Sequence, residues 1–367
     1  MGSDTILNPA YWPAVESPFW SVVIFVFGSI VGSFLNVVIH RLPRGESVVS
    51  PPSHCPHCNY SIPWWLNIPL LTWLYLGGKC KNCGAPISVR YFLVELLTAL
   101  AFLTTWLTFS GQSVLLALVY CLVLAGLLAS SFIDLEHLII PDELTIGGTV
   151  AGIFFSLIPV LHGQTSVRDS LWQGFLGAAV GGGVIYTILR LGKLMFGRQK
   201  ILLPPGTKII FSETNLCLPD REIPYEELFY RKSDTITLEG RFVETIDRGY
   251  GSAQIRLSQD KLLINDDPFV PEDITHLEAI TDTLYLPREA MGLGDVKFMA
   301  AIGAFLGWQA VVFSLMVSSI IGSLVGGALV LLGRKDWSSR LPYGPYIALA
   351  AVIWIFAGRM IVDWVLH

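Results

Sequence analysis

The sequence predicts an α-class fold: a polytopic membrane helical bundle of about eight transmembrane helices, interrupted by a cysteine-bearing loop and by a small β-rich insert. Three observations predict it. The 367 residues are 53% hydrophobic and only 14% charged, with a mean hydropathy of +0.58, so apolar side chains exceed what a soluble core of this length would bury. The apolar residues gather in runs long enough to cross about 30 Å of hydrocarbon. The polar residues gather in two stretches, 40–90 and 197–290, the second alternating apolar and polar side chains as strands do.

The runs lie near 18–39, 91–109, 113–132, 144–161, 170–192, 295–307, 309–332 and 344–366. The sixth is short and glycine-rich. The first follows Asp4 and Glu16 rather than a basic segment and ends at His40-Arg41-Leu42-Pro43-Arg44 without a small-residue cleavage site, so it reads as an uncleaved span. Five regions result: 1–39, an N-terminal segment with the first helix; 40–90, the cysteine loop; 91–196, helices two to five; 197–290, the β-rich insert; and 291–367, helices six to eight.

Basic residues orient the bundle. Arg41, Arg44, Lys79, Lys81 and Arg90 lie between the first two runs, Arg190, Lys193, Arg198 and Lys200 follow the fifth, and Arg334, Lys335 and Arg340 follow the seventh. Alternation places all three groups on one side, which the positive-inside rule makes cytoplasmic, together with both polar stretches. Residues 198–289 hold 17 acidic and 11 basic side chains, more than the whole net charge of −5. That acidity reads as solvation of the insert, where Thr235 to Val243 and Ala253 to Leu257 alternate as strands around a turn at Arg248-Gly249-Tyr250-Gly251-Ser252. No basic, aromatic-rich surface points to nucleic acid.

The cysteine loop carries Cys55-Pro56-His57-Cys58 and Cys80-Lys81-Asn82-Cys83. Two such pairs, each able to bite one metal from a tight knuckle, make a closed tetrahedral four-thiolate site of the structural zinc kind, a zinc-ribbon-like loop. Two disulfides are the alternative, disfavoured on a reducing cytoplasmic side. Gly84 eases the second knuckle. Cys121 and Cys217 read as packing residues.

Two acids stand where apolar runs meet charge. Asp134 lies in Phe132-Ile133-Asp134-Leu135-Glu136-His137 at the end of the third run, and Asp295 lies in Met291-Gly292-Leu293-Gly294-Asp295-Val296-Lys297 at the start of the sixth. Topology puts both at the same membrane face. Ionisable groups at such depth are expensive and mark function. A close carboxyl pair that shares one proton can activate water and protonate a leaving amine, the chemistry of an aspartic peptidase. A proton or ion path is the other reading of the same pair. Gly292 and Gly294 would let backbone approach a substrate closely. Pro141 stops the 134–140 segment from continuing as helix. Asp142 reads as the cap of the fourth run, Glu136 as an orienting or solvent-facing acid, and Lys297 as a cation that could act on an aspartate or a lipid phosphate. Glu136 or Glu143 could also attract a basic substrate segment.

Taken with Gly32-Ser33-Phe34-Leu35-Asn36, Gly303-Ala304-Phe305-Leu306-Gly307-Trp308 and Pro342-Tyr343-Gly344-Pro345-Tyr346, these motifs resemble the bacterial prepilin peptidases, the type IV leader peptidase and N-methyltransferase family of GxGD aspartic proteases. The resemblance covers nearly all of the chain except 197–290. It implies an inner-membrane, multi-pass endopeptidase that removes the basic leader from type IV prepilins and type II secretion pseudopilins at the cytoplasmic face. It also implies methylation of the new N-terminal amine from S-adenosylmethionine, with Asp134 and Asp295 as the catalytic pair and Cys55, Cys58, Cys80 and Cys83 in the zinc-bearing loop. Glu136 stands where many members carry aspartate. No glycine-rich nucleotide fingerprint accompanies the methyl donor. A transporter and a noncatalytic assembly factor are the competing classes.

Overall fold

The computed structural model describes residues 17–161, 163–229, 234–245, 248–270, 277–287, 292–333 and 341–366. The acidic N-terminal residues and the basic group at 334–340 lie outside them. The chain divides into two compact units, one of Met1–Tyr186 with Gly292–His367 and one of Thr187–Met291.

The first unit is helical. Helix α1 (Pro18–Arg41) leads through the cysteine loop, which holds the short α2 (Leu71–Tyr75), to α3 (Val89–Phe109) and α4 (Val114–His137). There follow α5 (Asp142–Phe155), α6 (Ile158–Leu161) and the long α7 (Val167–Phe196), whose end enters the second unit. After the insert come α8 (Leu293–Leu306), α9 (Trp308–Leu331) and α10 (Gly344–Leu366). Every run expected from the sequence is helical, the fourth (144–161) broken at Ser156–Leu157 into α5 and α6. Among the described residues, six helical stretches are long and apolar enough to cross a membrane: Pro18–Arg44, Val89–Phe109, Val114–His137, Asp142–Leu161, Val167–Leu194 and Trp308–Leu331. The count of eight expected from the sequence is not reached by this measure of length and composition. With 14 residues, α8 rises only about 21 Å at 1.5 Å per residue, short of the hydrocarbon core. The described apolar stretch of α10, Gly344–Gly358, is shorter too.

Small residues set the helix contacts, as expected where lipid tails remove the hydrophobic drive between helices. On α1, a Cβ at Gly28 would lie 2.9 Å from the Ala99 Cα and one at Gly32 would lie 2.7 Å from the Glu95 Cα, so α1 and α3 meet backbone to backbone. The same spacing recurs on α7, where a Cβ at Gly177 or Gly181 would overlap the carbonyl of Gly303 or Met299 on α8. Around Ile39, Trp106, Ala117 and Ile133 a second, ordinary apolar core joins α1, α3 and α4. Glu95, nearly buried on α3, accepts the Leu70 N–H at 2.7 Å and so ties the cysteine loop to the bundle.

The insert is an antiparallel sheet. Strand β1 (Arg198–Phe211) pairs with β10 (Leu277–Pro287) on either side of an irregularity between Leu202 and Thr207, bringing Arg198 opposite Pro287 where the chain enters and leaves. The order is β3 (Glu222–Pro224), β2 (Asn215–Cys217), β1, β10, β4 (Thr235–Gly240), β7 (Ala253–Ser258), β8 (Leu262–Ile264) and β9 (Asp267–Phe269), with β5 (Phe242–Thr245) between β10 and β6 (Gly249–Tyr250). Alternation buries Ile236 and Leu238 of β4 against Ile255 and Leu257 of β7. Two details differ from the sequence reading. The run 235–243 breaks at Arg241 into two strands, and Gly249–Tyr250 is a strand rather than part of the turn.

Candidate active site

Both aspartates sit in terminal helical turns. Asp134 occupies the last turn of α4, which closes with Leu138 in the left-handed conformation (φ 55°), its N–H returning to the Asp134 carbonyl at 3.0 Å. Ile140, held extended by the following proline, then leads to Pro141, the residue before α5. Asp295 is the third residue of α8, and its carboxylate reaches back to accept the Gly292 N–H, as acids in a first helical turn do.

Asp134 is 6% exposed and Asp295 9% exposed. The two lie within electrostatic reach of each other, and Asp134 is the charged side chain that acts on Asp295 among the described residues. Asp134 has a third partner: the Gly344 N–H donates to its Oδ2 at 2.8 Å. Gly344 opens α10, where the first amides have no partner within the helix and the positive end of the helix dipole lies. A Cβ at Gly344 would stand 2.9 Å from Asp134 Oδ2 and 3.2 Å from Ile140 Cδ1, so only glycine brings that amide so close. Three helix ends, from α4, α8 and α10, thus converge on two buried carboxyls. Such a pair can hold one proton between a carboxylate that activates water and a carboxyl that donates to the attacked group.

Around them the sequence expectations divide. Gly294 faces Ile140, where a Cβ would make ordinary contact at 3.4 Å, and a Cβ at Gly292 meets nothing closer than 3.9 Å. Among the described residues, packing demands neither glycine, which leaves room beside Asp295. Glu136 is not free, since it pairs with Arg90 of α3. The expectation that Asp142 caps the fourth span is corrected: Pro141 takes the cap position, Asp142 is the first helical residue and makes no cap bond, and its carboxylate receives Lys297 Nζ at 2.6 Å. Lys297 accordingly faces Asp142. One helical turn from each aspartate, at Ser130 and Phe298, an apolar groove of about 240 Å³ runs between α4, α5 and α8, lined also by Leu127, Leu144, Gly148 and Ile302, with Glu143 on its wall.

The four loop cysteines gather with all Sγ atoms within 4.8 Å of one another. A tetrahedral metal at about 2.3 Å from each sulfur requires separations of about 3.8 Å, and Cys55 Sγ lies 3.9 Å from Cys83 Sγ. The two knuckles are built alike: Asn59 and Gly84, both at positive φ, donate to the Cys55 and Cys80 carbonyls at 2.9 Å. Asn82 Nδ2, donating to Cys58 Sγ at 3.5 Å, and the Tyr60 N–H bring the Cys58 thiol down to about 6. The expected four ligands thus form one cluster suited to a metal ion.

The chain also matches known sequences. The profile described as bacterial peptidase A24 N-terminal domain matches residues 26–109, and that of the type IV leader peptidase family matches 121–207 and 274–327. A prepilin leader peptidase/N-methyltransferase of Aeromonas hydrophila is 31% identical over 369 residues, 94% of this chain and 93% of that protein. The chain belongs to the type IV leader peptidase family. Proteins with the same name from Pseudomonas aeruginosa and Myxococcus xanthus are 27% identical over 368 residues (92% of this chain, 90% of that protein) and 41% identical over 204 residues (51% and 59%). No solved structure matches. The leader peptidase profile embraces Asp134 and Asp295 and skips 208–273, most of the β-sheet insert. Sequence reasoning assigns no role to Gly344, because a backbone donor leaves no side-chain signature. The Gly-Pro step at a helix start is the one available signal.

Proposed function

We propose that this chain is a membrane aspartic endopeptidase that removes the leader of type IV prepilins and pseudopilins at the cytoplasmic face, and that it N-methylates the amine so exposed, using S-adenosylmethionine. The observation that carries the proteolytic reading is the buried Asp134–Asp295 pair, each acid held by a backbone N–H at a helix start.

In the cleavage step the ionised carboxyl of the pair takes a proton from water as its oxygen attacks the scissile carbonyl carbon. The protonated carboxyl donates to the carbonyl oxygen, and the leaving nitrogen takes a proton from the pair as the C–N bond breaks. The apolar groove that begins one turn from each aspartate, at Ser130 and Phe298, suits the hydrophobic segment of such a substrate. Cys55, Cys58, Cys80 and Cys83 would hold a structural zinc ion, which supplies a cross-link and no open coordination position. Among the described residues the sheet is antiparallel throughout, unlike the parallel sheets of nucleotide-binding folds.

The test uses the full chain in lipid nanodiscs with a purified prepilin and isotope-labelled S-adenosylmethionine, the products being weighed by mass spectrometry. The proposal expects loss of the leader and one labelled methyl group on the mature chain. An intact prepilin would support the assembly-factor class instead.

A further inference from the structure

Helix α9 is almost wholly apolar, yet it carries Ser318 and Ser319 side by side. Both hydroxyls donate to the Leu315 carbonyl of their own helix, at 3.2 and 2.7 Å. Both also meet the Tyr343 hydroxyl, at 3.1 and 3.0 Å. With the serine protons engaged on Leu315, the Tyr343 proton has two acceptors before it. The ring lies on Gly322, where a Cβ would be 3.4 Å from Tyr343 Cε2, and stands edge-on to Tyr346 with centroids 6.2 Å apart. Tyr343 is the residue before α10, and its carbonyl accepts the N–H groups of Tyr346 and Ile347. The next amide along the chain is the Gly344 N–H that holds Asp134.

We propose that Tyr343 is a positioning residue for peptide cleavage, its hydroxyl tying the start of α10 to the Ser318–Ser319 pair so that the Gly344 amide stays aimed at Asp134. The role rests on the protease reading of the Asp134–Asp295 pair. Interhelical hydroxyl contacts of this kind contribute little between membrane helices, too little to decide whether the bundle folds. Small displacements at a reacting centre are amplified into rate, about a hundredfold for 1 Å. Loss of the tether therefore registers in kcat before it registers in stability. In Tyr343→Phe each serine keeps its bond to Leu315, so no buried hydroxyl is left without a partner.

The experiment measures kcat and KM for prepilin cleavage, with the thermal midpoint, in the full-length parent, Tyr343→Phe, Ser318→Ala/Ser319→Ala and the triple variant. Ser323→Ala serves as the control, since among the described residues that hydroxyl bonds its own helix, at the Ser319 carbonyl. Tyr343→Phe is expected to lower kcat on the order of tenfold with KM and midpoint little changed. The double serine variant should match it, and the triple should fall no further, because all remove one tether. Hydrogen exchange at 343–347 should quicken in Tyr343→Phe. An unchanged kcat, a midpoint that falls in step with kcat, or independent effects in the triple variant would overturn the role. An active parent with an unimpaired Tyr343→Phe removes this role alone, whereas an inactive parent removes the protease reading as well.

Discussion

The Gly344 N–H donates to Asp134 Oδ2 at 2.8 Å, joining the end of α4 to the start of α10 across 210 residues of chain. This contact fixes one of the two acids by a group that no side-chain substitution can remove directly. A Cβ at Gly344 would enter the contact, 2.9 Å from the oxygen. Gly344→Ala should push the carboxylate aside and lower kcat/KM by about a hundredfold. Cleavage kinetics beside a thermal melt check this, the melt moving far less than the rate.

The backbone contacts between α7 and α8 lead to the opposite expectation. Gly303 and Gly177 face each other so closely that a Cβ on either meets the other's carbonyl. Gly303→Ala should cost about 1–3 kcal/mol of stability through forced separation of the helices. Unfolding of the detergent-solubilised protein measures it. A neutral result would show that the two helices can part freely.

Asp295 and its neighbours owe little to the Lys297–Asp142 pair. Its side chains are 40% and 58% exposed, so screening by water limits it to below about 1 kcal/mol. Asp142→Asn should therefore leave the thermal midpoint close to that of the parent. Measurement at low and high salt would reveal any larger coupling.

The cysteine cluster gives a dependence on pH. The Cys58 thiol, brought down to about 6 by Asn82 and the Tyr60 N–H, is a thiolate above that value and takes up a proton below it. A lowered pKa favours the bound, ionised form at neutral pH, and that advantage is lost as pH falls through about 6. Metal content by elemental analysis should be near one zinc per chain at neutral pH and should decline on acidification or in Cys58→Ser.

Asp134, Asp295 and the four cysteines are legible in the sequence because each is a costly residue at a spacing that serves one chemistry. Charged groups at the ends of apolar runs and paired CxxC knuckles rarely arise from packing needs alone. The helix positions are legible from the same runs, and the β-rich insert from its alternation. The partners are not. Glu136 with Arg90, and Asp142 with Lys297, depend on which helices lie side by side, and for α5 and α8 that contact runs through Gly148 and Gly152 against Ala301 and Ala304, facing residues that no periodicity names. Asp142 fails as a cap because the preceding proline already occupies that position. The shortness of α8 is legible, since the sequence separates the runs 295–307 and 309–332 where Gly307, at φ 85°, divides α8 from α9.

The most direct test of the central claim, that Asp134 and Asp295 form one proteolytic site, is the mass of a prepilin after incubation with Asp134→Asn and, separately, Asp295→Asn. Asparagine keeps the volume and hydrogen-bonding reach of each side chain, so both variants should insert and retain their zinc. Both should leave the prepilin at full length while the parent shortens it. Removal of the leader at the parental rate by either variant would contradict the account.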